Sequence, residues 1–154
     1  MQREIPVGSR AFCRSSIPRL DRPARFGYIP SMSLLEPYLK SLALYRAGRH
    51  WDAHEALEDA WREEQDPVRR RFYHGIIQLA AACHHMDRDN MHGVKTLARK
   101  ALEKLRDCPS PYLGLDVARL CERLEVCQRT AEAVERGEVP AFDRGLKPPL
   151  EIQK

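Results

Sequence analysis

No stretch of this chain approaches the roughly 18 to 20 consecutive apolar residues that a membrane-spanning helix needs, and the N-terminus lacks the short apolar run of a secretory signal. Cysteine occurs at positions 13, 83, 108, 121 and 127, an odd number with no CxxC pair. That pattern argues for free thiols in a reducing, cytoplasmic setting rather than a disulfide framework. Glycine-rich phosphate loops and a GxSxG nucleophile elbow are both missing, so no complete signature for phosphate binding or serine hydrolysis is present. There is no alternating strand pattern and no internal repeat, which removes the β and solenoid classes.

The formal charge of +4 suggests nucleic acid until it is located. Residues 1 to 30 carry six arginines, at 3, 10, 14, 19, 22 and 25, against only Glu4 and Asp21. The rest of the chain therefore has twenty basic and twenty acidic residues. A neutral body has no broad electrostatic footprint for a phosphate backbone. RNA is then a candidate partner for the arginine-rich tail alone, and a homo-oligomer is compatible with the body. With Pro6, Pro18, Pro23 and Pro30 and no periodicity, residues 1–31 read as a disordered extension, with Met32 as a plainer start of translation.

What is present is helical. With 154 residues, 43% of them hydrophobic, one compact domain is expected over residues 32–138, as a bundle of about five antiparallel helices. The first runs from Ser33 to a stop at Gly48, with Pro37 in its first turn. The second starts at Asp52, whose side chain and Glu55 form a capping box. Asp66 and Pro67 announce the third, which reaches about Asp87. Asn90 caps a fourth that ends near Cys108, and Ser110-Pro111 introduces a fifth that ends at Gly137. Residues 139–154 form an extended, proline-rich tail lying across the bundle through Phe142, Leu146 and Leu150.

Two polar stripes interrupt this apolar scheme. At about 100° per residue, Leu57, Glu58 and Trp61 all fall within about 60° of His54, so His54 and Glu58 should face inward. On the third helix, a nearly all-apolar surface carries His74, Gln78 and His85 on one line. His84 points elsewhere, and His50 and His92 sit at helix edges in solvent. Buried polar groups need partners, so the stripe is expected to meet His54 and Glu58 between helices two and three. His74 and His85 are about 16 Å apart along the axis, and one metal ion can take only one of them.

A His and a Glu at i, i+4 can share a divalent ion, although "HEALE" has Glu58 where the HExxH zinc motif has its second histidine. The alternative is a buried hydrogen-bond network that fixes helix register, with Trp51 and Trp61 as core. Arg69, Arg70 and Arg71 either pair with Glu63 and Glu64 or bind an anion. Cys83, Cys121 and Cys127 read as small core residues.

The stretches "YRAGRHWDAHEALEDAWR" and "FYHGIIQLAAACHHMDRDNMHGVKTLARKALEKL" resemble the family called domain of unknown function 309, over about residues 40 to 106. Its motifs AHExxExxW, GxIQxAxAxxH and xGNxxGAxxL fall on His54, Glu55, Glu58, Trp61, Gly75, Gln78, His85, Asn90 and Gly93. Asp89 and Val94 depart from the pattern. The resemblance implies an all-α bundle, favours His85 over His74, and brings no activity. The expectation is a buried site binding a divalent metal or small polar ligand, with hydrolysis as its chemistry. His54, Glu58 and His85 would hold the metal, Glu55 and Glu58 would be catalytic, and His54, Trp61, Gln78, His85 and Asn90 would bind the ligand. The rival is a non-enzymatic interaction module.

Overall fold

A computed structural model describes residues 32–153. The extension expected over 1–31, with Cys13 and the arginine-rich tail, lies outside the described residues. Five α-helices follow one another: α1 (Met32–Arg46), α2 (His50–Glu63), α3 (Pro67–Asp87), α4 (Met91–Leu105) and α5 (Val117–Glu135). The expected all-α bundle is what forms. No strand occurs among the described residues, only an isolated antiparallel bridge between Tyr112 and Leu115. No described helix is long and apolar enough to cross a membrane.

Local chemistry explains most boundaries. Asp66 accepts from the Arg69 amide at 2.9 Å and Pro67 occupies the first turn of α3. Asn90 caps α4 through the Gly93 amide at 3.1 Å. Gly48, at φ +76°, ends α1 in the left-handed region, where the Arg49 amide returns to the Leu44 carbonyl at 2.9 Å.

Other boundaries differ from expectation. No capping box opens α2: it begins at His50, and Asp52 pairs with Arg49 at 2.7 Å. Pro37 lies inside α1, five residues beyond its first. Ser110-Pro111 does not start α5. The helix starts at Val117 with Asp116 as its cap, accepting from the Arg119 amide at 3.0 Å, while Ser110 Oγ accepts from the Ala118 amide.

Each helix packs chiefly on its neighbours in sequence, with α3 in the middle of the series. The apolar face read on α3 is buried as expected, from Phe72 through Ile76, Leu79, Ala80 and Cys83 to Met86. Tyr38 of α1 reaches the same layer, stacked on Tyr73 and edge-on to Phe72. Cys83, Cys121 and Cys127 are buried free thiols.

The C-terminal segment crosses the bundle as expected. Phe142 and Leu150 are buried and Leu146 packs on the core. Tyr45 Oη donates to the Pro148 carbonyl at 2.5 Å and Arg46 Nε to the Leu150 carbonyl at 2.7 Å. Lys147 pairs with Asp87, and the Gln153 amide donates to the Gly114 carbonyl. His50, expected in solvent, is only 6% exposed and donates from Nδ1 to Asp87 at 2.7 Å. Trp51, expected in the core, is 46% exposed.

Candidate functional site

Two aromatic pairs mark the antiparallel seam between α2 and α3. Trp61 packs on His74 with ring centres 4.5 Å apart, and Trp51 meets His84 at 5.2 Å. Residues midway along each helix, 54 to 58 on α2 and 77 to 81 on α3, therefore lie level with one another. Trp51 also stacks on His54 at 4.8 Å with nearly parallel rings, and the Arg70 guanidinium sits 5.3 Å above the Trp61 ring.

Within this seam His54 Nδ1 is buried and has no hydrogen-bond partner in the protein. Glu58 Oε2 lies 3.9 Å away, beyond hydrogen-bond reach, and Glu58 Oε1 instead accepts from Arg62 at 2.6 Å. Gln78 Nε2 lies 3.2 Å from His74 Nε2, while Gln78 Oε1 is buried without a partner. Turning the amide over would exchange the two atoms and still leave one end unsatisfied. Burial, aided by the charges of Lys104, Arg70 and Lys100, holds His74 below the usual imidazole range. A neutral His74 accepting from the Gln78 amide is consistent with that environment.

His85 belongs to a different assembly. Asn90 uses its side-chain oxygen to cap α4, so its amide group faces His85 Nδ1, 3.1 Å away, as the donor. His85 is then neutral with its proton on Nε2, in line with the lowering that burial, His84 and Arg88 impose. Gly93 completes the trio, because a Cβ there would stand 2.6 Å from His85 Cγ. Gly75 acts similarly deeper in the bundle, where a Cβ would stand 2.6 Å from Leu105 Cδ2. The motif residues His85, Asn90, Gly93 and Gly75 thus join α3 to α4.

Among the described residues no group of three or more His, Cys, Asp or Glu side chains comes together to hold a metal ion. The proposed ligand set of His54, Glu58 and His85 is therefore not assembled, because His85 turns toward α4. Glu55, expected as a base, is exposed and makes no hydrogen bond or ion pair among the described residues. Arg69 pairs with Glu64 through two hydrogen bonds, Arg70 reaches the carbonyls of Arg62 and Glu64, and Arg71 pairs with Asp107, so the three arginines are structural partners.

Sequence reasoning missed His50 with Asp87 and Lys147, because that cluster depends on a turn, a helix end and a tail distant in sequence. It also missed Tyr73, whose hydroxyl is buried without a partner. The available signal was a phenol on the apolar face of α3, beside Phe72 and Ile76.

Residues 38–97 match the model of the family described as Domain of unknown function (DUF309). This stretch belongs to that family. It contains His54, Glu58, Trp61, Gln78, His85, Asn90 and Gly93, and stops within α4. The chain is 36% identical over 101 residues to "Uncharacterized protein YpuF" of Bacillus subtilis (strain 168), covering 64% of this chain and 56% of that relative. It is 26% identical over 88 residues to an "Uncharacterized protein" of Aquifex aeolicus (strain VF5), covering 57% of this chain and 26% of that relative. The chain thus spans about half the length of the first relative and about a quarter of the second. No solved structure matches it. The DUF309 match covers the whole α2–α3 seam.

Proposed function

We propose that the DUF309 stretch binds a small polar ligand in the α2–α3 seam, between His54 and Gln78. The observation that carries this reading is the pair of buried polar atoms, His54 Nδ1 and Gln78 Oε1, left without protein partners on facing helices. An unsatisfied buried polar group costs about 1–3 kcal/mol, and a ligand bonded to both would recover that loss at two places together. One ring nitrogen and one amide suit a ligand that presents a donor and an acceptor close together, such as an amide or an alcohol.

A divalent ion is the narrower form of the same reading. His54 Nδ1 and Glu58 Oε2 could flank one ion as an i, i+4 pair, with other molecules filling the remaining positions. Hydrolysis would need a carboxylate free to take a proton. Glu58 is engaged by Arg62 and Glu55 stands in solvent, so binding is the better supported role.

The test uses the full chain, untagged and isotope-labelled, titrated with zinc chloride and separately with a set of small amides and alcohols. Saturable NMR shifts at Ala53, Leu57, Ile77 and Ala81 that vanish in Gln78→Leu support the site. No saturable shift there with any of these probes sinks it. A second reading, the interaction module, is favoured by Trp51, which lies 46% exposed while stacked on His54. In that case Trp51→Ala abolishes partner capture, and none of the zinc, amide or alcohol probes gives a saturable shift in the seam.

A further inference from the structure

A separate cavity of about 430 Å³ opens where α1, the end of α2 and the start of α3 meet. Its apolar walls come from Pro37, Ala60 and the ring of Tyr73. Tyr73 is only 1% exposed, and its hydroxyl has no hydrogen-bond partner in the protein. The neighbouring Tyr38, stacked on the Tyr73 ring, is supplied: its Oη donates to the Leu113 carbonyl at 3.1 Å.

The charges around this cavity are unevenly satisfied. Arg69 holds Glu64 by two hydrogen bonds, at 2.5 and 3.0 Å, and the Asp66 amide adds a third at 2.9 Å. That arginine and that glutamate are paired with one another and are only 12% exposed each. Glu63 also lines the cavity, and its carboxylate makes no ion pair among the described residues. Gln65 turns its amide nitrogen to the Glu63 carbonyl at 3.1 Å, which leaves its side-chain oxygen as another acceptor. Burial pushes the Tyr73 phenol up to about 12, so it remains neutral at physiological pH.

What remains is an apolar trough whose lining residues offer the buried Tyr73 hydroxyl, one uncompensated carboxylate and an amide oxygen. A carboxylate or phosphate ligand would meet Glu63 unfavourably, and a purely apolar ligand would leave the phenol unsatisfied. We infer that this cavity binds an alkylammonium group, a primary amine on a short hydrocarbon, whose N–H donates to Tyr73 Oη while Glu63 balances its charge. Its carbons lie on Pro37 and Ala60. The source is either a free small amine or a lysine side chain of another polypeptide.

The probe is n-butylammonium chloride, titrated into the isotope-labelled full chain and followed at the amides of Ala60, Gln65 and Arg69. Sodium butyrate and n-butanol of the same length are the controls, and Nα-acetyl-lysine amide is the fourth arm. We expect saturable shifts with butylammonium, each weakened roughly tenfold in Tyr73→Phe and in Glu63→Gln, as the loss of one hydrogen bond or one charge partner implies. Tighter binding of the lysine amide assigns the ammonium to a protein chain, and weaker binding assigns it to a free amine. Both variants should fold: one removes a single unpaired hydroxyl, and the other alters an exposed side chain. Butyrate or butanol binding as well as the amine overturns the inference. So does wild-type affinity in Tyr73→Phe, or no saturable shift with either amine.

Discussion

Gly93 offers the sharpest check on how α3 is fixed to α4. Replacing it with alanine in the first turn of a helix ordinarily stabilises, by about 0.5–1 kcal/mol, because alanine loses less backbone entropy on folding. Here the new methyl would lie 2.6 Å from His85 Cγ, 2.7 Å from Nδ1 and 3.0 Å from Cδ2. Cγ is the first ring atom, close to the backbone, so the imidazole cannot evade the methyl by rotating a distant tip.

The ring must therefore shift, losing its bond to Asn90, about 0.5–1.5 kcal/mol. Forced repacking adds about 1–3 kcal/mol. The unfavourable effects win, and Gly93→Ala should destabilise by about 1–3 kcal/mol. With His85→Ala already in place the obstruction is gone, and the same glycine substitution should then stabilise. Urea denaturation of the four proteins, followed by helical circular dichroism, measures this reversal of sign. Equal destabilisation in both backgrounds, or a stabilised single variant, would refute the account of the trio.

Stability should also decline as pH falls below 6.5. Burial holds His74 and His85 below the ordinary imidazole value of 6.5, so between the folded and unfolded values the unfolded chain carries more protons. Their contribution is complete above 6.5 and is lost as pH drops through that value toward the lower folded ones. Urea midpoints should show the decline, with a shallower slope in His85→Ala; a flat wild-type profile contradicts it. Tyr45→Phe leaves the buried Pro148 carbonyl without its donor and should cost about 1–3 kcal/mol. Limited proteolysis should then cut residues 139–150 sooner than in the wild type, and unchanged cleavage would count against the contact.

Reading the sequence worked wherever neighbouring residues decide the outcome. Asp66-Pro67 and Asn90 set the starts of α3 and α4, because a cap and its amide lie three residues apart. Ser110-Pro111 carried the same local cues for α5, yet Asp116 captures the helix start. The polar stripe of α3 was visible, but not its destinations. A central helix has two neighbours, so residues on one line divide: His74 goes to Trp61 on α2, and His85 goes to Asn90 and Gly93 at α4. His50 looked solvated because nothing nearby in sequence reveals that Asp87 and Lys147 converge on it. Trp51 has the spacing of a core residue, but it sits in the first turn of α2, opposite the last turns of α3, where little remains to cover it.

Helices that rest mainly on their immediate neighbours make an open series, and the first and last members of such a series can fray independently. The closing segment counters this by touching α1 at Tyr45 and Arg46, α3 at Asp87 and α5 at Cys127. It works like the stitch that turns a row of slats into a hoop: α1 cannot peel away without also releasing the far end. Loss of structure should therefore spread through the whole bundle in one step rather than begin at either edge.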